Sequence, residues 1–215
     1  MKTLALNDFL QAAENGMVIL DARPTEVFKQ GFIPGSIHVP FGAKQFDEWT
    51  IAVLEKATPV LLITEDDAAA QAAERLQQLG YNIAASLEGG FAAYTGSGKP
   101  LDMIIDVESD ELMMDIPFDE HLIVMDVRKP MEYAEGHLKD AVNLPLNELK
   151  DPLRISAIEE KDNLYLHCGG GTRSVIAASV LKRQGLHNLR NVAGGWKKIK
   201  EEPRAAIVKE PGMLN

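Results

Sequence analysis

Short apolar runs alternate along the chain with longer amphipathic stretches. "MVIL" ahead of Asp21, "PVLLIT" at Pro59 to Thr64, "HLIVM" ahead of Asp126 and "NLYLHC" at Asn163 to Cys168 are runs of four to six residues. Runs this short, with little polar alternation, predict strands buried on both faces, as in a parallel sheet. The stretches "DAAAQAAERLQQLG" and "TRSVIAASVLKRQG" predict helices, each closing on a glycine, Gly80 or Gly185, suited to the left-handed position past a helix end. Strands alternating with helices predict an α/β fold, a central mostly parallel sheet with helices on both faces.

The pattern occurs twice. An offset of 105 residues pairs Asp21 with Asp126, Arg23 with Arg128, Phe28 with Tyr133, Gly31 with Gly136 and Pro40 with Pro145. It also pairs Gly80 with Gly185, and Gly89 and Gly90 of "EGGF" with Gly194 and Gly195 of "AGGW". Two copies of one unit are expected, residues 1–98 and 99–215, joined through the Gly- and Ser-rich stretch "YTGSGKPLD" at Tyr94 to Asp102, which reads as a flexible joint.

The chemistry gathers in the second copy. Cys168, the chain's single cysteine, stands at the carboxyl end of its strand, where open α/β sheets place their ligands. Gly169, Gly170, Gly171 and Thr172 then turn sharply into a helix, so their N–H groups can form an anion-binding nest above a helix N-terminus. That setting favours a thiolate over a thiol. Arg173 adds charge to the rim or braces the loop. Asp126 and Arg128, at the end of the second copy's first strand and near the same sheet edge as the loop, are candidate supporting residues, and Arg128 is expected to pair with Glu132 four residues on. His38, His121, His137, His167 and His187 lack ligand spacing, so no metal is expected; His167 reads as a packed core residue. Trp196 and Phe91 read as core plugs behind the "GG" turns.

The first copy has no cysteine. Its strand leads to Glu65, Asp66 and Asp67, in a loop two residues shorter and without glycines. These carboxylates would repel an anionic donor, and they suit the N-terminus of the following helix.

Three segments of the second copy resemble motifs of the rhodanese-like sulfurtransferases: "DVRxxxEYxxGHL" at Asp126 to Leu138, "HCGGGTRS" at His167 to Ser174 and "VAGGW" at Val192 to Trp196. The first copy carries a weaker version, so the resemblance spans nearly the whole chain and implies two rhodanese-like domains, the first degenerate. It implies that Cys168 takes a sulfane sulfur as a persulfide and passes it to a thiol or other thiophilic acceptor, with Gly169 to Arg173 as the binding loop. Four residues separate Cys168 from Arg173. The related cell-division-cycle phosphatases have five, so the shorter loop implies sulfur transfer rather than phosphate hydrolysis. The uncharged loop implies a donor such as glutathione persulfide or polysulfide ahead of thiosulfate. Asp140 departs from the pattern, since the family usually has glycine there. The first copy's "FIPGSIHVPF" and "LEGGFAAY" look like the tail of persulfide dioxygenase fusions, which implies a separate dioxygenase as partner. The competing reading is a non-catalytic sulfur carrier or interaction module.

A net charge of −10 and a pI near 5.0 argue against a nucleic-acid partner. The first residues lack a signal-peptide core and no apolar run is long enough to span a bilayer, so a cytoplasmic protein without membrane contact is expected. No cofactor is implied.

Overall fold

The computed structural model describes residues 1–65 and 68–210. The chain divides into two compact units, the first ending at Met103 and the second beginning at Ile104. "YTGSGKPLD" is tied into the first unit rather than hanging between the two. The Tyr94 hydroxyl donates to the Pro100 carbonyl at 2.7 Å, and Phe32 and Asp102 exchange backbone hydrogen bonds of 2.9 and 3.0 Å.

In the first unit, strands β1 (Thr3–Leu4), β2 (Val18–Asp21), β3 (Ile37–His38), β4 (Val60–Ile63) and β5 (Ile83–Leu87) form a sheet in the order β1-β5-β4-β2-β3. Every pairing is parallel. Helices α1 (Leu6–Glu14), α2 (Thr25–Gln30), α3 (Phe46–Val53), α4 (Ala69–Gln78) and α5 (Gly90–Thr95) connect them. The pleat sends Ile19, Leu61, Ile63, Ala85 and Leu87 to one face, where Phe9 of α1 and Tyr94 of α5 complete a core. Alternate residues such as Leu20 and Leu62 point to the other face, and α4 is held on the sheet by buried Ala72, Ala73 and Leu76. Val60 to Ile63 are all buried, as a central parallel strand requires.

The second unit repeats this plan. Strands β6 (Ile105–Val107), β7 (Leu122–Asp126), β8 (His137–Leu138), β9 (Val142–Asn143), β10 (Asn163–His167), β11 (Leu189–Val192) and β12 (Ile207–Val208) alternate with α6 (Ser109–Asp115), α7 (Pro130–Ala134), α8 (Pro152–Ile155), α9 (Thr172–Arg183) and α10 (Trp196–Ile199). The five-stranded parallel sheet runs β6-β11-β10-β7-β9, and β8 with β12 makes a small antiparallel pair. Leu112 of α6 and Ile199 of α10 pack with Val124, Tyr165 and Val192 on one face. Helix α9 is buried without interruption from Ser174 to Leu181, so its position over the sheet is fixed along two turns. Gly80 and Gly185 take φ of +88° and +95° after α4 and α9, the left-handed ends expected for both helices.

Candidate active site

Strand β10 pairs in register with β7, placing His167 opposite Asp126, and the chain then leaves the sheet at Cys168. Cys168 is 2% exposed. Gly171 takes φ +107° and is the left-handed residue that turns the loop into α9; its N–H donates to Cys168 Sγ at 3.1 Å. The Ser174 hydroxyl lies 3.6 Å from the same sulfur, and it also reaches the Gly171 carbonyl at 2.8 Å and Asn191 Oδ1 at 2.6 Å. Asn191 in turn donates to Asp106 at 2.7 Å. Thus the sulfur sits at the head of α9, in the field of the helix's free N–H groups.

The carbonyl side of the loop is held from behind. The Trp196 N–H donates to the Cys168 carbonyl at 2.6 Å and the Lys197 N–H to the Gly169 carbonyl at 3.3 Å. This close approach requires Gly195, which has φ +56° and ψ −143°. A Cβ at Gly195 would lie 2.3 Å from the Cys168 carbonyl oxygen.

Arg173 projects to the rim and is clasped by Glu132, with Nη1 to Oε2 at 2.7 Å and Nη2 to Oε1 at 2.9 Å. This bidentate bond holds the Glu132 carboxyl down at about 2. It raises Arg173 as well. The expected pairing of Glu132 with Arg128 is not formed. Arg128 lies before α7 begins, so helical i,i+4 geometry does not apply to it. It grips Asp126 instead, at 2.9 and 3.0 Å through Nε and 2.6 Å through Nη2, and donates to the Gly136 carbonyl at 2.8 Å.

The Asp126–Arg128 brace has a twin in the first unit. Arg23 grips Asp21 at 2.6 to 3.1 Å and donates to the Gly31 carbonyl at 2.9 Å. The aromatic residues after the "GG" turns cover the two guanidinium groups, Phe91 at 3.5 Å from Arg23 and Trp196 at 4.4 Å from Arg128. A brace built identically where no cysteine exists is architecture shared by both units. His167 is fully buried, its ring nitrogens have no hydrogen-bond partner among the described residues, Nε2 lies 3.7 Å from Asp126 Oδ2, and burial pushes its pKa down.

A family pattern for the rhodanese-like domain matches residues 5–97 and again 104–202. The chain belongs to the rhodanese-like family. It is 31% identical over 93 residues to a sulfurtransferase of Allochromatium vinosum, covering 43% of this chain and 85% of that protein. It is 35% identical over 80 residues to the thiosulfate sulfurtransferase PspE of Escherichia coli, covering 37% of this chain and 74% of that protein. A match to YrkF of Bacillus subtilis, named as a candidate sulfur carrier, is 31% identical over 101 residues, covering 47% of this chain and 54% of that protein. The chain thus spans about half the length of that relative. Among solved structures, a thiosulfate sulfurtransferase from Pseudomonas aeruginosa aligns with 98% of this chain and 44% of its own, at 19% identity and TM-score 0.45.

The first rhodanese unit has a cavity of about 230 Å³ at the same edge of its sheet, lined by Leu62, Ile63, Thr64, Ala69, Ser86 and Gly89 among others. The 105-residue offset sets Ala69 and Ser86 where the second unit has Ser174 and Asn191, so smaller side chains stand where that unit packs Ser174, 3.6 Å from the Cys168 sulfur, against Asn191. Helix α4 is preceded by Ala68, which has no side-chain acceptor, and Glu65 contributes a backbone carbonyl to Ala68 N–H at 3.1 Å. Asp66 and Asp67, read as partners of that helix end, lie outside the described residues. Among the described residues no group of three or more His, Cys, Asp or Glu could hold a metal, and no helix is long and apolar enough to cross a membrane.

Sequence reasoning missed Glu132, Ser174, Asn191 and Gly195 as parts of this site. Asn191 carried a signal, a polar residue next to the apolar end of "LRNV", where it is buried while its neighbour Arg190 is half-buried. Glu132 carried a place in the motif, the E of "DVRxxxEY", but not its role, because its partner is 41 residues away.

Proposed function

We propose that the second rhodanese unit is a sulfurtransferase that carries sulfane sulfur on Cys168. What supports this reading is the Gly171 N–H at 3.1 Å from Cys168 Sγ at the head of α9, in a chain of a family whose relatives include named sulfurtransferases. The Cys168 thiolate attacks the outer sulfur of the donor and forms a new S–S bond. The donor's S–S bond breaks and its electron pair leaves on the donor fragment, a thiolate from a persulfide or sulfite from thiosulfate. The loop N–H groups and the α9 N-terminus hold the negative outer sulfur left on Cys168. An acceptor thiolate then attacks that sulfur and expels the Cys168 thiolate, so the protein is unchanged over the cycle.

Gly169 to Arg173 form the donor-binding loop in this proposal, with Asp126 and Arg128 supporting it through the sheet end. The donor is a persulfide or polysulfide ahead of thiosulfate, since Gly169 to Thr172 carry no charge. A separate persulfide dioxygenase, which would draw on the same persulfide pool, is the partner this reading proposes from the resemblance to dioxygenase fusions. Mass spectrometry after treatment with glutathione persulfide tests the core of the proposal. One added sulfur on Cys168, absent in Cys168→Ser, is expected; no adduct with persulfide, polysulfide or thiosulfate overturns it. Repeated turnover to cyanide separates an enzyme from a carrier that loads only once.

A further inference from the structure

The one charged side chain of the Cys168 loop is already engaged. Both terminal nitrogens of Arg173 bond to Glu132, at 2.7 and 2.9 Å. Glu132 Oε2 also accepts from the Lys129 N–H at 3.0 Å, which anchors the carboxylate to the first turn of α7. The pair lies over the residue next to the nucleophile: a Cβ on Gly169 would meet Arg173 Nη2 at 3.0 Å and Glu132 Oε1 at 3.9 Å. Two groups locked in this fork geometry cancel each other's charge at short range. Of the other cations, Lys197, whose N–H bonds the loop, and Lys129, beside Glu132, are exposed and screened by solvent, and Arg128 is held by Asp126.

We infer that Glu132 is a specificity-determining residue, which masks Arg173 and so selects against donors whose charge sits beside the transferable sulfur. Thiosulfate is such a donor, because its sulfonate is bonded directly to that sulfur. A persulfide on a thiol chain has no such second group: its charge is on the transferred sulfur, which the loop N–H groups receive, and its carboxylates lie several bonds away. The inference rests on the sulfurtransferase reading and specifies its donor class. Arg173 is free to attract an anion only when Glu132 releases it, and the anchored carboxylate opposes that release.

Glu132→Gln is the direct test, since the amide oxygen preserves an acceptor for the Lys129 N–H while the charge is removed. Side-by-side assays should show kcat/KM for thiosulfate rising about tenfold relative to that for glutathione persulfide. Glu132→Asp retains the charge and should keep the donor ratio near that of the unsubstituted protein. The unsubstituted protein gives a reading that needs no folding of a variant: with Arg173 masked, its kcat/KM for thiosulfate should not fall as salt is raised from 20 to 200 mM, a range of order set by the screening length. In the Gln variant it should fall. An unchanged donor ratio in Glu132→Gln, or a steep salt-dependent fall in the unsubstituted protein, overturns the inference. The persulfide adduct on Cys168, followed in the same samples, keeps the two readings apart. An adduct with an unchanged ratio removes only the role of Glu132; no adduct with any donor removes the sulfurtransferase reading itself.

Discussion

Replacing Gly195 by alanine tests whether the "AGGW" turn positions the sulfur. The added methyl carbon would stand 2.3 Å from the Cys168 carbonyl oxygen and 3.0 Å from its carbonyl carbon. That is roughly 1 Å inside ordinary contact distance, and both neighbours are backbone, so no side chain can swing away. Gly195 also has φ +56° and ψ −143°, a region that side-chain-bearing residues avoid. Strain and overlap together should cost about 2–4 kcal/mol of stability. The remaining relief is to push the Cys168 carbonyl back by about 1 Å, carrying Sγ off the Gly171 N–H, and a misplacement of that size lowers reaction rates by about a hundredfold. Urea unfolding gives the first quantity, and the rate of persulfide formation on Cys168 under single-turnover conditions gives the second. A Gly195→Ala protein with undiminished stability and full rate would refute the claim that this turn holds the loop.

Two further outcomes follow from buried or strained groups elsewhere. Asp140 has φ +65°, the one non-glycine residue with positive φ among those described, so Asp140→Gly should stabilise the second unit by about 0.5–1 kcal/mol, read as a higher melting temperature. His38 is fully buried, with Nδ1 3.0 Å from the Asp21 carbonyl and Nε2 3.1 Å from the Thr25 hydroxyl, and burial lowers its pKa to about 3. Its folded pKa lies below the unfolded value near 6.5, so its contribution is complete above pH 6.5 and is lost as pH falls toward 3. The loss should approach about 1.4 kcal/mol per pH unit across that window. Asn143 occupies the matching place in the second unit and donates to the Asp126 carbonyl at 2.8 Å, so His38→Asn should flatten the acid dependence measured by urea unfolding at pH 7 and pH 5.

Much of this organisation was legible before any coordinates. The buried runs became β2, β4, β7 and β10, the terminal glycines closed α4 and α9, and the position of Cys168 at a strand end followed from "NLYLHC" alone. These features are local, set by periodicity and by what a single glycine permits. The ion pairs were not legible in the same way. Arg128 and Glu132 have helical spacing, but Pro130 starts α7 after Arg128, and the nearer Asp126 captures the arginine. Glu132 was then free to meet Arg173, a pairing decided by how α7 and the α9 head converge. Asp140, which breaks the motif, is explained by its backbone: glycine suits the site because φ is positive, and aspartate is among the residues that best tolerate that region.

The twin braces give the molecule an internal blank. Asp21 with Arg23 and Asp126 with Arg128 are equally buried and bonded alike, yet the cysteine belongs to one unit alone. Any perturbation that acts on the scaffold, whether heat or denaturant, can therefore be compared between two matched sites in the same tube. A donor molecule that acts through the sulfur has no matched site to act on. Amide exchange at Arg23 and Arg128, recorded before and after loading with sulfur, would subtract scaffold from chemistry without a second protein.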